Sequence, residues 1–89
     1  MIKHEVEIVN RLGLHARAAA KFVQCASAFR CEVRIGNGHR EVNGKSIMGV
    51  MLLAVSQGAQ VVLTFKGEDE EQAAAAIEGL IANYFGEGG

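Results

Sequence analysis

The sequence predicts an α+β fold, an open-faced sandwich in which helices cover one face of a single β-sheet. Three observations carry the prediction. Short segments alternate apolar and polar residues, as half-buried strands do; longer segments repeat apolar residues at helical spacing; and the two kinds follow in the order β-α-β-β-α-β-α. One amphipathic sheet with helices laid on one of its faces is the simplest way to bury both sets of apolar residues.

The first strand is expected at about residues 2–9, with Ile2, Val6 and Ile8 on one face and Lys3, Glu5 and Glu7 on the other. A turn over 10–14 leads to a helix at about 16–28, in which Ala19, Phe22, Ala26 and Phe29 share one side. The second strand turns Cys31, Val33 and Ile35 inward, and Gly36-Asn37-Gly38 folds it back as a hairpin onto a third strand at about 39–43. Ser46 is placed to cap a short second helix reaching about Ala54, with Val50, Leu53 and Ala54 facing the sheet. Gln57-Gly58 turns the chain into a fourth strand from Gln60 to Lys66. The last helix runs from about Asp69 to Tyr84 on a stripe of Ala73, Ile77, Leu80, Ile81 and Tyr84, and Gly86-Glu87-Gly88-Gly89 reads as a frayed end. The first strand, first helix and second strand read as a split crossover with another strand inserted between them.

Composition narrows the function. The 89 residues are expected to form one domain, 1–89, of a size that buries roughly 60% of its unfolded surface. That suffices for a modest core but not for a large cleft with its own lid. Hydrophobic residues make up 49% of the chain, yet no run approaches the ~18 apolar residues of a membrane span. Charge interrupts Met1-Ile2-Lys3-His4-Glu5, so no signal peptide is read there and a cytoplasmic location is expected. A net charge of −1 argues against a nucleic-acid-binding face. Cys25 and Cys31 lack the spacing of a zinc site or a disulfide framework, so buried free thiols are expected and no metal or cofactor is implied.

The chemistry gathers at Leu12-Gly13-Leu14-His15-Ala16-Arg17-Ala18-Ala19-Ala20. His15 stands where the first helix must begin, and the first amides of a helix are unpartnered and carry the positive end of its dipole. The last helix answers that charge with Glu68-Asp69-Glu70-Glu71, whereas the first offers no carboxylate or hydroxyl and adds the cation of Arg17. Such a start suits an anion from outside. A phosphoryl group carried on His15 fits, with its oxygens held by the amides of Ala16, Arg17 and Ala18 and by the Arg17 guanidinium. The same dipole favours a neutral ring, leaving one nitrogen free as a nucleophile. His4 and His39 have no acidic or cysteine neighbours at ligand spacing and are assigned no catalytic part. No second acid or base group falls near His15 in the sequence pattern, so a stand-alone enzyme is not expected.

Leu12-Gly13-Leu14-His15-Ala16-Arg17, with Lys45-Ser46-Ile47-Met48-Gly49-Val50-Met51 thirty residues on, closely resembles the HPr family. These are the histidine-containing phosphocarriers of the bacterial phosphoenolpyruvate-dependent phosphotransferase system. The likeness runs from Ile2 to about Tyr84 and preserves the spacing between the two motifs. It implies a four-stranded antiparallel sheet in the order 1-4-2-3, covered on one face by three helices, an order that periodicity alone does not choose. It also implies that phosphorylated enzyme I donates to Nδ1 of His15, and that a histidine of an enzyme IIA domain accepts. A monomer without membrane insertion is expected. The chain departs from the common pattern at Ala18, where the family usually has proline; alanine supplies an additional amide donor.

The second helix is apolar on nearly every side, more than so small a fold can cover. Ile47, Met48 and Met51 are therefore expected to be partly exposed beside Ser46, and with Ala20 they form the candidate partner surface. Ser46 is first of all a cap. In some HPr proteins the matching serine is phosphorylated by a dedicated kinase, and the resemblance extends to that regulated type, with an HPr kinase/phosphorylase as a further partner. The competing function is a docking module that keeps the fold and the methionine-bearing surface without transferring a phosphoryl group, which would leave His15 without a use. The motifs do not separate sugar uptake from a purely regulatory branch.

Overall fold

The structure, a computed structural model, describes residues 1–87. Its elements are β1 (Ile2–Glu7), α1 (Ala16–Ser27), β2 (Glu32–Gly36), β3 (Glu41–Asn43), α2 (Ile47–Leu52), β4 (Gln60–Lys66) and α3 (Glu70–Ala82). The sheet order is β1-β4-β2-β3 and every pairing is antiparallel, with Val6 opposite Val61, Ile35 opposite Leu63 and Ile35 opposite Val42. β4 is thus the strand inserted between the two ends of the first crossover.

Period-two alternation sorts β4 cleanly: Val61, Leu63 and Phe65 are fully buried, while Gln60 and Lys66 are exposed. The helices answer from above with Ala19, Phe22 and Ala26 of α1 and Ala73, Ile77 and Ile81 of α3. Val33, Ile35 and Val50 complete one continuous core. Both cysteines are free thiols, Cys31 buried and Cys25 partly so, and burial pushes both thiols above their ordinary value.

Four expectations are corrected. β3 starts at Glu41 rather than about 39, because the Asn37 side chain accepts from the amides of His39 and Arg40 and draws both into the turn. α2 ends at Leu52 and Ala54 faces solvent instead of the sheet; Ala54 adopts φ 50°, which turns its side chain away while Val55 is buried. Tyr84 is not on the buried stripe of α3. The helix ends at Ala82, Tyr84 is exposed, and Phe85 is the residue completely buried.

The tail is the fourth. Tyr84, Phe85 and Gly86 have consecutive left-handed φ values of 54°, 53° and 74°, a bend that residues other than glycine adopt only at a cost of about 1–2 kcal/mol each. Burial of Phe85 and a 2.6 Å hydrogen bond from Lys21 Nζ to the Phe85 carbonyl hold the bend in place. The chain is thereby hooked back across the end of α1, so Glu87 is fixed rather than frayed. Gly88 and Gly89 lie outside the described residues.

Candidate functional site

The loop before α1 is set by close approach. Gly13 adopts φ 66°, and a Cβ there would stand 2.4 Å from the Val55 carbonyl oxygen. The neighbouring Leu14 amide donates to that same oxygen at 2.9 Å, and the Leu14 side chain enters the core. His15 follows in extended conformation as the N-cap of α1, with its carbonyl accepting from the Ala19 amide at 2.8 Å. No acidic residue occupies the first turn. The amides of Ala16 and Ala18 have no intrahelical acceptor by helix geometry.

The His15 ring is engaged on both nitrogens. The Arg17 amide donates to Nδ1 at 3.3 Å, so Nδ1 presents a lone pair. Nε2 lies 2.6 Å from Glu87 Oε2. Burial pushes the Glu87 carboxyl up, but hydrogen bonds from Asn10 and His15, with the nearby charge of Lys21, more than offset it and hold the group below its ordinary value. An ionised carboxylate only accepts, so the ring proton sits on Nε2. Glu87 Oε1 accepts in turn from Asn10 Nδ2 at 3.0 Å, and the same Nδ2 donates to the Gly13 carbonyl at 2.8 Å. Asn10 is completely buried, and its Oδ1 has no partner among the described residues.

Arg11, Leu12, His15, Ala16, Arg17, Lys21, Gly86 and Glu87 line an open depression of about 780 Å³ over this arrangement. Cations dominate its wall, a charge balance that favours an anion there. The structure brings His15, Ala16, Arg17 and Ala18 together at one helix start; Ala18 directs its side chain into the core, leaving only its backbone for a ligand. The motifs do not reveal Glu87, Asn10 and Lys21. The tail carboxylate contradicts the expectation that no acid or base lies near His15. Its trace in the sequence is an apolar residue off the helical stripe, Phe85, two positions before a glutamate.

Ser46 caps α2, its Oγ accepting from the Gly49 amide at 3.1 Å. Ile47, Met48 and Met51 are exposed, Met48 at 71%, so the apolar face of α2 is not core; Leu52 at 61% widens it beyond expectation, and Ala20 is also exposed. His4 and His39 are both exposed, His4 meeting Glu78 at 2.6 Å across β1 and α3. Among the described residues no helix is long and apolar enough to cross a membrane.

Comparison with known proteins converges on one family. The family model described as the PTS HPr component phosphorylation site matches residues 2–83. Phosphocarrier protein HPr of Neisseria meningitidis is 51% identical over 88 residues, covering 99% of each chain. The crystal structure of HPr-C-His from Thermoanaerobacter tengcongensis superposes with a TM-score of 0.94 at 49% identity, covering 98% of each chain. An HPr dimer from the same organism matches with a TM-score of 0.79 at 49% identity, covering 98% of this chain and all of that one.

Proposed function

The chain belongs to the HPr family of phosphocarriers, and from that premise we propose that His15 accepts a phosphoryl group from phosphorylated enzyme I and passes it to a histidine of an enzyme IIA domain. The observation that carries the reading is the ring itself. Nδ1 holds a lone pair at a helix start that has no acid of its own, beside Arg17. That nitrogen attacks phosphorus as the bond between phosphorus and the donor breaks. The phosphoryl oxygens then take the place of Nδ1 as acceptors of the Arg17 amide, with the Ala16 and Ala18 amides and the Arg17 guanidinium as further donors. Positioning and charge stabilisation are shared with the partner in a transient complex.

Ile47, Met48, Met51 and Ala20 offer the adaptable apolar surface on which successive partners dock. Ser46 is the regulatory site, phosphorylated by an HPr kinase/phosphorylase. The added charge of about −1.5 to −2 sits at a helix start that tolerates it and repels acidic partner surfaces. The protein works as a cytoplasmic monomer; sedimentation of the purified chain at micromolar concentration tests this, and a dimer like that of the Thermoanaerobacter relative overturns it.

Phosphoenolpyruvate and catalytic enzyme I test the central reading. Intact mass should rise by one phosphoryl group, the gain should be lost in acid, and His15→Ala should take up none while keeping its far-UV spectrum. No uptake by the wild-type chain, or equal uptake by His15→Ala, would sink it.

A further inference from the structure

We propose that Glu87, held by Asn10, is a positioning residue for phosphoryl transfer: it keeps the ring proton of His15 on Nε2, so that Nδ1 alone faces phosphorus. The inference rests on the carrier reading above and assigns work to a part of the molecule that the motifs do not reach.

The geometry is built rather than incidental. The tail reaches the ring only through the left-handed run Tyr84-Phe85-Gly86, a conformation sustained by the burial of Phe85 and by Lys21 Nζ on its carbonyl. Strained backbone that persists because its surroundings over-determine it is characteristic of sites where geometry serves function. At the end of the hook, the Glu87 side chain is only 10% exposed and both its oxygens are engaged, Oε2 by His15 Nε2 and Oε1 by Asn10 Nδ2. Asn10 is itself locked, donating from the same amide nitrogen to Gly13, the residue that shapes the histidine loop. Loop, ring and tail therefore form one hydrogen-bonded unit.

Its chemical consequence follows from the two ring tautomers. With the proton on Nδ1 the ring has no lone pair to offer phosphorus there; with it on Nε2 the Nδ1 pair is available. During uptake the Nδ1 pair forms the new N–P bond while the electrons of the bond from phosphorus to the donor leave with the donor. No proton moves on this side, because Nε2 already carries it, and the positive charge that spreads over the phosphorylated ring faces the Glu87 carboxylate. On delivery the N–P electrons return to Nδ1 and a neutral ring is left, its proton still on Nε2. One fixed proton thus serves both directions of transfer, first keeping Nδ1 nucleophilic and then keeping the phosphoimidazole a good leaving group.

The test uses the whole chain with ¹⁵N-labelled histidine. The wild type should show His15 with Nε2 protonated and Nδ1 unprotonated, and a ring N–H protected from exchange with water. Glu87→Ala should lose that protection and populate the second tautomer, and phosphoryl uptake from enzyme I should slow roughly tenfold. Glu87→Asp, which keeps the charge, should recover part of both. Glu87 lies beyond the core, and an unchanged far-UV spectrum separates its effect from unfolding. Unaltered ring-nitrogen shifts in Glu87→Ala, or altered shifts with an unaltered transfer rate, would overturn the proposal. The nitrogen shifts are read without enzyme I. A wild type that takes up no phosphoryl group therefore counts against the carrier reading, while the spectrum alone still decides whether Glu87 sets the tautomer.

Discussion

The starts of α1 and α3 face the same electrostatic problem and meet it in opposite ways. α3 is furnished locally: Glu70 and Glu71 lie in its first turn, Glu70 accepts from the Gly67 amide at 3.0 Å, and the amino terminus of Met1 stands 3.0 Å from the same carboxylate. Its N-cap residue, Asp69, does not cap the helix but accepts from the amides of Arg30 and Cys31 at 2.8 and 2.9 Å, tying the helix to the entry of β2. α1 has no acid of its own and receives one from the far end of the chain, through a side chain rather than a helix turn. A carboxylate within the first turn is a permanent fixture. One that arrives on the opposite side of a ring balances charge and takes up none of the first-turn amides. The difference separates a helix start that ties the fold together from one that, on the proposed reading, is kept ready for an anion.

The comparison is broken most severely by losing the geometry of the α1 start. Gly13→Ala places a Cβ against the Val55 carbonyl and forces an L-residue to φ 66°; a loss of about 3 kcal/mol is expected in chemical denaturation. A loss under about 1 kcal/mol would mean that the loop yields easily.

Giving α1 the furnishing of α3 sharpens the contrast. Ala16→Glu should stabilise the helix by about 0.5 kcal/mol yet slow phosphoryl uptake roughly tenfold, since the new charge opposes the incoming anion. A thermal melt and an enzyme I assay on the same sample read both signs, and unchanged uptake would count against the electrostatic account.

α2 supplies an intermediate case, a start capped by a neutral hydroxyl. Ser46→Ala should cost about 1 kcal/mol in thermal or chemical unfolding. Ser46→Asp, which keeps a capping acceptor, should hold stability near wild type while slowing uptake from enzyme I. Equal rates for Ser46→Asp and wild type would remove the charge argument at that position.

The smallest effect is visible in the pH dependence of stability. The Arg30 amide, with that of Cys31, holds the Asp69 carboxyl below its ordinary value, and the Gly67 amide and the amino terminus do the same for Glu70. A carboxyl lowered in the fold contributes stability above its unfolded value and loses that contribution as pH falls through the folded one. Asp69→Asn should therefore melt below wild type at neutral pH, with the gap closing on acidification and phosphoryl uptake untouched. A gap independent of pH would assign the effect to packing rather than charge.

Much of this is legible in the chain because it depends on local pattern. Alternation places β4 from Gln60 to Lys66 with its three buried residues, and the Ser46 cap follows from a hydroxyl before an apolar run. The missing acids of the first helix turn point to His15. What escapes is non-local or runs against propensity. Tyr84 fits the helical period of α3, yet the chain leaves the helix first, through left-handed conformations that neither Tyr84 nor Phe85 advertises. Without that bend, Phe85 cannot be recognised as an anchor or Glu87 as a neighbour of His15. Ala54 departs from its expected place for the same reason, a positive φ at a residue other than glycine.

The contact of Gly13 with Val55 has a metric consequence. Because the histidine loop lies tight against the segment that leaves α2 at Gly13 and is bonded to it by the Leu14 amide, the His15 ring and the methionine-bearing face share a common base plate. Their spacing is set through that shared contact, like the jaws of a caliper set on one beam. On the proposed reading, a partner that docks on the α2 face meets the ring at one preset distance and bearing, a single gauge for donor and acceptor alike.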